Sequence, residues 1–336
     1  METRNKLFNV HSVYNLSRYI FLKIENNFSN IVEKTGITLP QLRVLWIIKA
    51  FPGISLSEIA QIGCWTPPTV TKILKNLLEK NLVIKEGSTN KKVYKLVVTE
   101  EGERFVEANR KGKNDNFYLI KLLKVLSVEE LDFIMEVFKI ICIDKKNDII
   151  LEYIDRINEL CLKIDYSDFD EEETVILKRL VYLYNLLRTF ILHVESNHRQ
   201  LLLKFDITYP QLRALWFVEA FKGITSVQLS EISFWSPSTA NLIVNNLYDK
   251  GYIYKEKSKV KNALYLFISE KGENLILEDF KLNQKSLTIY DSIDKIPKEK
   301  LTKINYLLKK INSALENDKV EEYIIRTFEV IEKRVL

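Results

Sequence analysis

The sequence predicts a mainly α protein with small β-hairpins, arranged as two tandem domains of the same kind. The 336 residues include only 9 Gly and 7 Pro, against 17 Phe and 16 Tyr, which favours long helices with few irregular connections. A long segment of the first half also recurs in the second half. Within each copy, apolar residues at helical spacing and capping signals precede two short strand patterns.

The repeat sets the domain organisation. LPQLRVLWIIKAFPGI, starting at Leu39, recurs as YPQLRALWFVEAFKGI, starting at Tyr209, which is a shift of 170 positions. Between residues 40–103 and 210–273 the register holds without a gap, and 26 of 64 positions are identical. A period of this length indicates whole domains and not short solenoid units. We predict a first domain, an acidic linker and a second domain at 1–162, 163–173 and 174–336.

Charge is distributed unevenly along the chain. The net charge is only +5, but residues 1–100 hold 14 basic and 7 acidic side chains, whereas residues 101–200 hold 15 and 20. The positive charge of residues 1–100 is therefore more informative about a binding partner than the net charge of the whole chain. We interpret the acidic run at 163–173 as a linker and helix start, and not as a metal site, because nothing in the sequence brings other ligands near it.

An enzyme is not expected. The chain has three histidines, of which His193 and His198 lie five residues apart on one predicted helix and so do not share a face. No Gly-rich phosphate loop and no nucleophile motif is present. The sequence predicts no catalytic residues, no cofactor and no metal.

Cysteine usage and hydropathy indicate the compartment. Cys64, Cys142 and Cys161 are odd in number and lack ligand-like spacing, which is typical of buried thiols in a reducing environment; a redox switch is the alternative. No secretion signal is recognisable at the N-terminus, and the most apolar run, Leu180–Val194, is too short to span a bilayer. We expect a cytoplasmic protein.

Capping signals mark three consecutive short helices in each copy. In the first copy they begin at Thr38, Ser55 and Thr66, and the last two signals return at Thr225 and Ser236. A tight turn of three residues separates the second helix from the third. The pattern predicts a helix-turn-helix.

The third of these helices has one apolar and one polar face. Its apolar residues follow the spacing of a buried face, whereas the outward residues are small hydrogen-bonding groups followed by cations. Side chains of this kind reach base edges or phosphates when a helix enters the major groove. The predicted DNA contacts are Thr66, Pro68, Thr69, Thr71, Lys72 and Lys75 in the first copy, and Ser236, Ser238, Thr239, Asn241 and Asn245 in the second.

A basic hairpin follows this helix. Leu82–Lys85 and Val93–Val98 read as strands on either side of a polar loop, Glu86–Lys92, which together predict a wing. A solvated lysine face is the plainer interpretation of either element alone, but the combination occurs twice and favours nucleic acid. The predicted wing contacts are Lys91 and Lys92 in the first copy, and Lys259 and Lys261 in the second.

The order of these motifs resembles the MarR family of winged helix-turn-helix transcriptional regulators. Q-L-R-x-L, a capped short helix, S/T-P-S/P-T-[VA], a two-strand wing, T/S-E-x-G-E and a final x-S-x-E-E-L helix occur in sequence over nearly all of both copies. The phrase GISLSEIAQIG is nearer to the Hpr/ScoC-type branch of that family. The resemblance implies a dimeric repressor or activator of transcription, in which the first and last helices form the dimer interface and the wings reach the minor groove. Some members respond to small phenolic or other anionic ligands, so a small-molecule effector of unknown identity is a further expectation.

Two departures from the family pattern lower the affinity for DNA that we expect. The wing of the family usually carries Asp-x-Arg, but this chain has Asn90-Lys91-Lys92 and Val260-Lys261-Asn262, and lysine lacks the planar fork of arginine. The second recognition helix also has Leu242 and Asn245 where the first has Lys72 and Lys75.

The favoured interpretation is a sequence-specific regulator that binds double-stranded DNA, whose two fused modules act as an intrachain pseudo-dimer on an asymmetric site. The alternatives are a homodimer of two-module chains and a winged-helix protein-interaction scaffold without DNA binding. Four aromatic residues are expected to be core, although they also suit a cleft: Tyr14, Trp46, Tyr184 and Trp216.

Overall fold

A computed structural model describes residues 2–87, 94–108, 118–142, 148–162, 168–257, 263–286 and 296–335. The chain forms two compact units. The central unit is Lys23–Phe190, and the terminal unit combines Met1–Leu22 with Ile191–Leu336. In the described parts of the chain, no helix combines the length and the apolar character that a bilayer crossing requires.

Two long helices contribute to both units. Helix α1 spans Glu2–Glu33, so its first part belongs to the terminal unit and its remainder to the central unit. Helix α9 spans Glu171–Asn197 and passes from the central to the terminal unit. Asp170 caps α9, because its carboxylate accepts from the backbone N–H of Glu173 at 2.8 Å. The acidic run therefore includes a helix start.

The central unit holds one helix-turn-helix and one hairpin. Its remaining elements are α2 (Leu39–Ala50), α3 (Leu56–Gly63), α4 (Pro67–Glu79), β1 (Val83–Gly87), β2 (Tyr94–Val98), α5 (Glu100–Ala108), α6 (Tyr118–Lys121), α7 (Val128–Cys142) and α8 (Asp148–Leu162). Helix α2 buries most of its residues and packs against α3, α4, α8 and β2. It is thus the centre of the core of this unit.

The terminal unit also contains three helices, a hairpin and a covering helix in that order. Its elements are α10 (Arg199–Lys204), α11 (Tyr209–Ala220), α12 (Ser226–Ser233), α13 (Pro237–Asp249), β3 (Ile253–Lys257), β4 (Leu264–Ile268), α14 (Glu270–Ser286), α15 (Lys298–Ala314) and α16 (Val320–Val335). Helix α11 is the buried one here, and it packs against α12, α13, β4 and α16.

Each hairpin is antiparallel and is covered by the helix that follows it. The register pairs Val83 with Val98 in the central unit and Ile253 with Ile268 in the terminal unit. A Cβ at Gly102, in the first turn of α5, would lie 2.2 Å from the carbonyl oxygen of Leu82. Gly272 meets Tyr252 in the same way, so glycine lets α5 and α14 approach the hairpins closely.

The structure confirms the predicted helix starts and corrects two details. Ser55 and Thr225 form the capping boxes expected at α3 and α12. The first strand continues to Gly87, so Glu86 belongs to β1 and not to a loop, because the strand pairing extends by two residues. His198 stands between α9 and α10 and not within one helix.

Candidate nucleic-acid interface

The turn of the central helix-turn-helix is held by a left-handed residue. Cys64 ends α3 with φ +54°, and the backbone N–H of Trp65 then donates to the carbonyl of Ala60 at 2.9 Å. A Cβ at Gly63 would lie 2.1 Å from the Trp65 ring. The Trp65 ring thus occupies the space that a side chain at position 63 would need. The left-handed Cys64 sets the direction in which α4 begins.

Helix α4 presents the polar face that the sequence predicts. The Thr66 hydroxyl accepts from the backbone N–H of Thr69 at 3.4 Å, and the two hydroxyls lie 2.8 Å apart. The Thr71 hydroxyl donates to the carbonyl of Pro67 at 3.0 Å. The exposed residues on this face include Thr66, Pro68, Thr69, Thr71, Lys72 and Lys75. The buried residues are Val70, Ile73, Leu74 and Leu77, as expected, whereas Leu78 is half-buried.

Two lysines are exposed on the strands of the hairpin that follows this helix in the chain. Lys85 is on β1 and Lys95 is on β2. Lys75 is 74% exposed and its ammonium is 3.8 Å from the Glu79 carboxylate, so this surface pair leaves it available to an anionic partner. The predicted wing contacts Lys91 and Lys92 lie outside the described residues.

The terminal unit has the corresponding helix-turn-helix. Phe234 ends α12 with φ +60°, and the N–H of Trp235 donates to the carbonyl of Ser230 at 3.1 Å. The Ser236 hydroxyl caps α13 by accepting from the N–H of Thr239 at 3.1 Å. The exposed residues include Ser236, Ser238, Thr239, Asn241 and Asn245. The predicted wing contacts Lys259 and Lys261 lie outside the described residues.

The outward surface of α13 is less cationic and more apolar than that of α4. Leu242 is 62% exposed and Tyr248 is 48% exposed. Lys255 of β3 donates to the side-chain oxygen of Asn245 at 2.8 Å, and its ammonium lies 4.5 Å from the centre of the Tyr248 ring. Lys255 is not among the predicted DNA contacts, although it lies in the strand that directly follows α13.

A partly buried polar cluster in the central unit was not predicted. Arg43 of α2 binds the Glu25 carboxylate through both terminal nitrogens and also contacts the Tyr184 hydroxyl. Burial alone would raise the pKa of Glu25, but Arg43 and Tyr184 hold it below its ordinary value. Arg188 of α9 is 6% exposed and donates to the carbonyl of Gly63 at 3.3 Å. Charged residues shared by both copies within apolar helices were the signal for this cluster.

The terminal unit contains a cavity of about 80 Å³ that both apolar and polar side chains line. Tyr14 and Trp216 line it, so these two aromatic residues are buried or half-buried and border a cavity as well. The Trp216 indole donates to Asp279 at 2.8 Å, and the other Asp279 oxygen lies 3.2 Å from Nε2 of His198. Burial, and then the charge of Arg213, lower the pKa of His11 to about 3. This histidine is therefore neutral at physiological pH.

Comparison with known proteins identifies the family. Residues 37–93 match the MarR family. The chain is 31% identical over 113 residues to the HTH-type transcriptional repressor MdtR of Bacillus subtilis. The aligned residues cover 33% of this chain and 72% of that protein. It is 27% identical over 112 residues to the HTH-type transcriptional regulator Hpr of Exiguobacterium sibiricum, and 29% identical over 89 residues to Hpr of Geobacillus thermodenitrificans. These matches cover 32% and 26% of this chain, and 59% and 44% of the two Hpr proteins. With the helix-turn-helix and hairpin in place, the chain belongs to the MarR family.

Proposed function

We propose that the chain is a transcriptional regulator that binds double-stranded DNA through α4 and α13. The observation that carries this proposal is the surface of α4, where a capped N-terminus presents exposed threonines and two exposed lysines. Pro67 and Pro68 have no N–H and the Thr69 N–H is capped, so a phosphate at this terminus would be favoured by the side-chain hydroxyls and the positive end of the helix dipole. The names of MdtR and Hpr, which describe HTH-type transcriptional regulators, support the same function.

The roles of the side chains follow from their chemistry. Thr69 and Thr71 are short and exposed in the first two turns of α4, where a helix in the major groove meets base edges. Lys72 and Lys75 extend further and suit phosphate contacts. Lys85 and Lys95 add positive charge on the hairpin, next to α4 in the chain. Base contacts then determine sequence, whereas the lysines position the protein on the backbone of the duplex.

We further propose that one chain uses its two modules as a pseudo-dimer on an asymmetric site. A homodimer binds the two half-sites of a palindromic DNA sequence with two identical helices. Here Thr71, Lys72 and Lys75 on α4 correspond to Asn241, Leu242 and Asn245 on α13, so the preferred half-sites differ in base sequence.

Selection from a random pool of duplexes by the full chain tests both proposals. The expected result is an enriched asymmetric sequence, bound with an affinity that falls steeply as salt rises, because each neutralised phosphate releases counterions. No enrichment and a flat salt dependence would favour a protein-interaction scaffold. A palindromic selected site, bound by a species of twice the 39.5 kDa chain mass, would favour a homodimer of two-module chains.

A further inference from the structure

The outward surface of α13 carries an apolar side chain at its centre. Leu242 is 62% exposed, and it stands where α4 has Lys72. Asn245 follows it by three residues and Asn241 precedes Asn245 by four, so the leucine and these amides share one face of the helix. This leucine contributes little to the core, whose contacts on α13 come from Ala240, Ile243, Val244 and Leu247.

The amide of Asn245 is held in a defined orientation. The ammonium of Lys255 donates to its side-chain oxygen at 2.8 Å. Because an ammonium only donates, this bond fixes which side of the amide carries the oxygen. The Tyr248 ring, 4.5 Å from the same ammonium, keeps Lys255 in place through a cation–π contact. The amide nitrogen and the second lone pair of the oxygen remain available to a base.

An exposed leucine beside an oriented asparagine matches the chemistry of one base pair. In the major groove, thymine presents the apolar C5-methyl group, and adenine presents a donor and an acceptor that asparagine binds with both ends of its amide. A G·C pair offers neither a methyl group nor this donor and acceptor order. A lysine at the same place, as in α4, favours guanine or phosphate instead.

We propose that α13 reads A·T base pairs, with Leu242 against a thymine methyl group and Asn245 on adenine. The proposal rests on the proposed function, because it assigns a base preference to the second DNA-reading helix. It makes Lys255 a positioning residue, which acts on DNA through Asn245. It also gives the two modules different readouts, since the exposed groups of α4 are hydroxyls and ammoniums.

Replacing thymine by deoxyuridine tests the leucine contact, because this change removes only the methyl group. In a duplex selected by the full chain, each thymine is replaced in turn, and binding is measured for the unaltered protein, Leu242→Ala and Leu203→Ala. We expect one or two positions where the unaltered protein binds about fourfold more weakly, the factor for one methyl-sized apolar group. Leu242→Ala should show no loss there. Leu203, a 68% exposed leucine on α10, is the matched control, and its variant should keep the full loss.

The outcomes separate this inference from the proposed function. If the chain binds no duplex in a salt-dependent way, the proposed function is wrong. If it binds a selected duplex but no thymine position is sensitive, or if Leu242→Ala keeps the full sensitivity, the function stands and the inference is overturned. Lys255→Met adds a second readout: relaxed discrimination at the adenine, with the deoxyuridine effect intact, supports the positioning role. Unchanged discrimination at the adenine contradicts that role.

Discussion

The guanidinium of Arg188 donates a hydrogen bond to the main-chain carbonyl of Gly63, 3.3 Å away. Gly63 is the last residue of α3, and the turn that it begins leads directly to the cap of α4. Arg188 lies on α9, more than a hundred positions later in the chain. A helix outside the helix-turn-helix therefore binds the main chain at the start of the turn between α3 and α4.

Arg188→Met should loosen this turn. The change removes a charged donor from a buried carbonyl, and such bonds contribute about 1.5–3 kcal/mol. We expect faster amide hydrogen exchange at Cys64 and Trp65 and weaker binding to a selected duplex. Arg179→Met is the control, since Arg179 also lies on α9 but pairs with Asp132 at the surface. Equal exchange rates in both variants would contradict a role for Arg188 in the turn.

Removing the α4 lysines should lower the salt dependence of DNA binding. Each phosphate contact contributes about 0.9 to the slope of log affinity against log salt, so Lys72→Ala with Lys75→Ala should reduce the slope by about 2. Affinity should fall for all duplexes alike, because phosphates carry no sequence information. Lys121→Ala with Lys124→Ala removes the same charge from an exposed segment outside the interface. A similar slope change in that control would point to general charge instead of contacts on α4.

Gly102→Ala should destabilise the central unit. Its Cβ would lie 2.2 Å from the carbonyl oxygen of Leu82 and 2.7 Å from a Val98 methyl group, so α5 must move away from the hairpin. Overpacking of this kind costs about 1–3 kcal/mol in the free energy of unfolding, measured with urea. Gly87→Ala is the matched control, because no atom lies within 4 Å of its added Cβ. Equal stability of the two variants would show that the helix is not packed as described.

The terminal unit should lose stability in mild acid because of His11. Burial lowers its pKa to about 3 in the folded state, below the ordinary 6.5, so folding favours the neutral form. The contribution of neutral His11 to the free energy of unfolding is fully present above pH 6.5 and is lost as the pH falls toward 3. Between pH 7.5 and 5.5 the free energy of unfolding should therefore decrease by about 1.4 kcal/mol. Urea unfolding at both pH values should show this loss in the unaltered chain.

A matched pair of variants tests whether His11 causes this loss of stability, because His198 and Asp279 also line the cavity. His11→Val should remove most of the difference between the two pH values, since valine stands at the corresponding position 181 of the second copy. His193→Gln, a half-buried histidine outside the cavity, should retain it. If both variants behave alike, another group is responsible for the acid sensitivity.

The sequence predicts features that depend on neighbouring residues and misses those that depend on distant ones. Capping boxes such as Ser55 with Glu58 involve residues three apart, so the pattern defines the helix start. The contact of Tyr184 with Glu25 joins positions 159 apart, and nothing local indicates it. The repeat also leaves open which long helix packs on which module, because both copies carry the same residues there.

The membership of α1 in two units has a consequence for the order of folding during synthesis. The terminal unit needs contacts such as His11 with Thr327, which are separated by 316 residues along the chain. All residues of the central unit, Lys23–Phe190, leave the ribosome well before Thr327 exists. The part of α1 that belongs to the terminal unit must therefore remain without these contacts until α16 has been made. Apolar surface that stays exposed on a growing chain during such an interval is prone to aggregation.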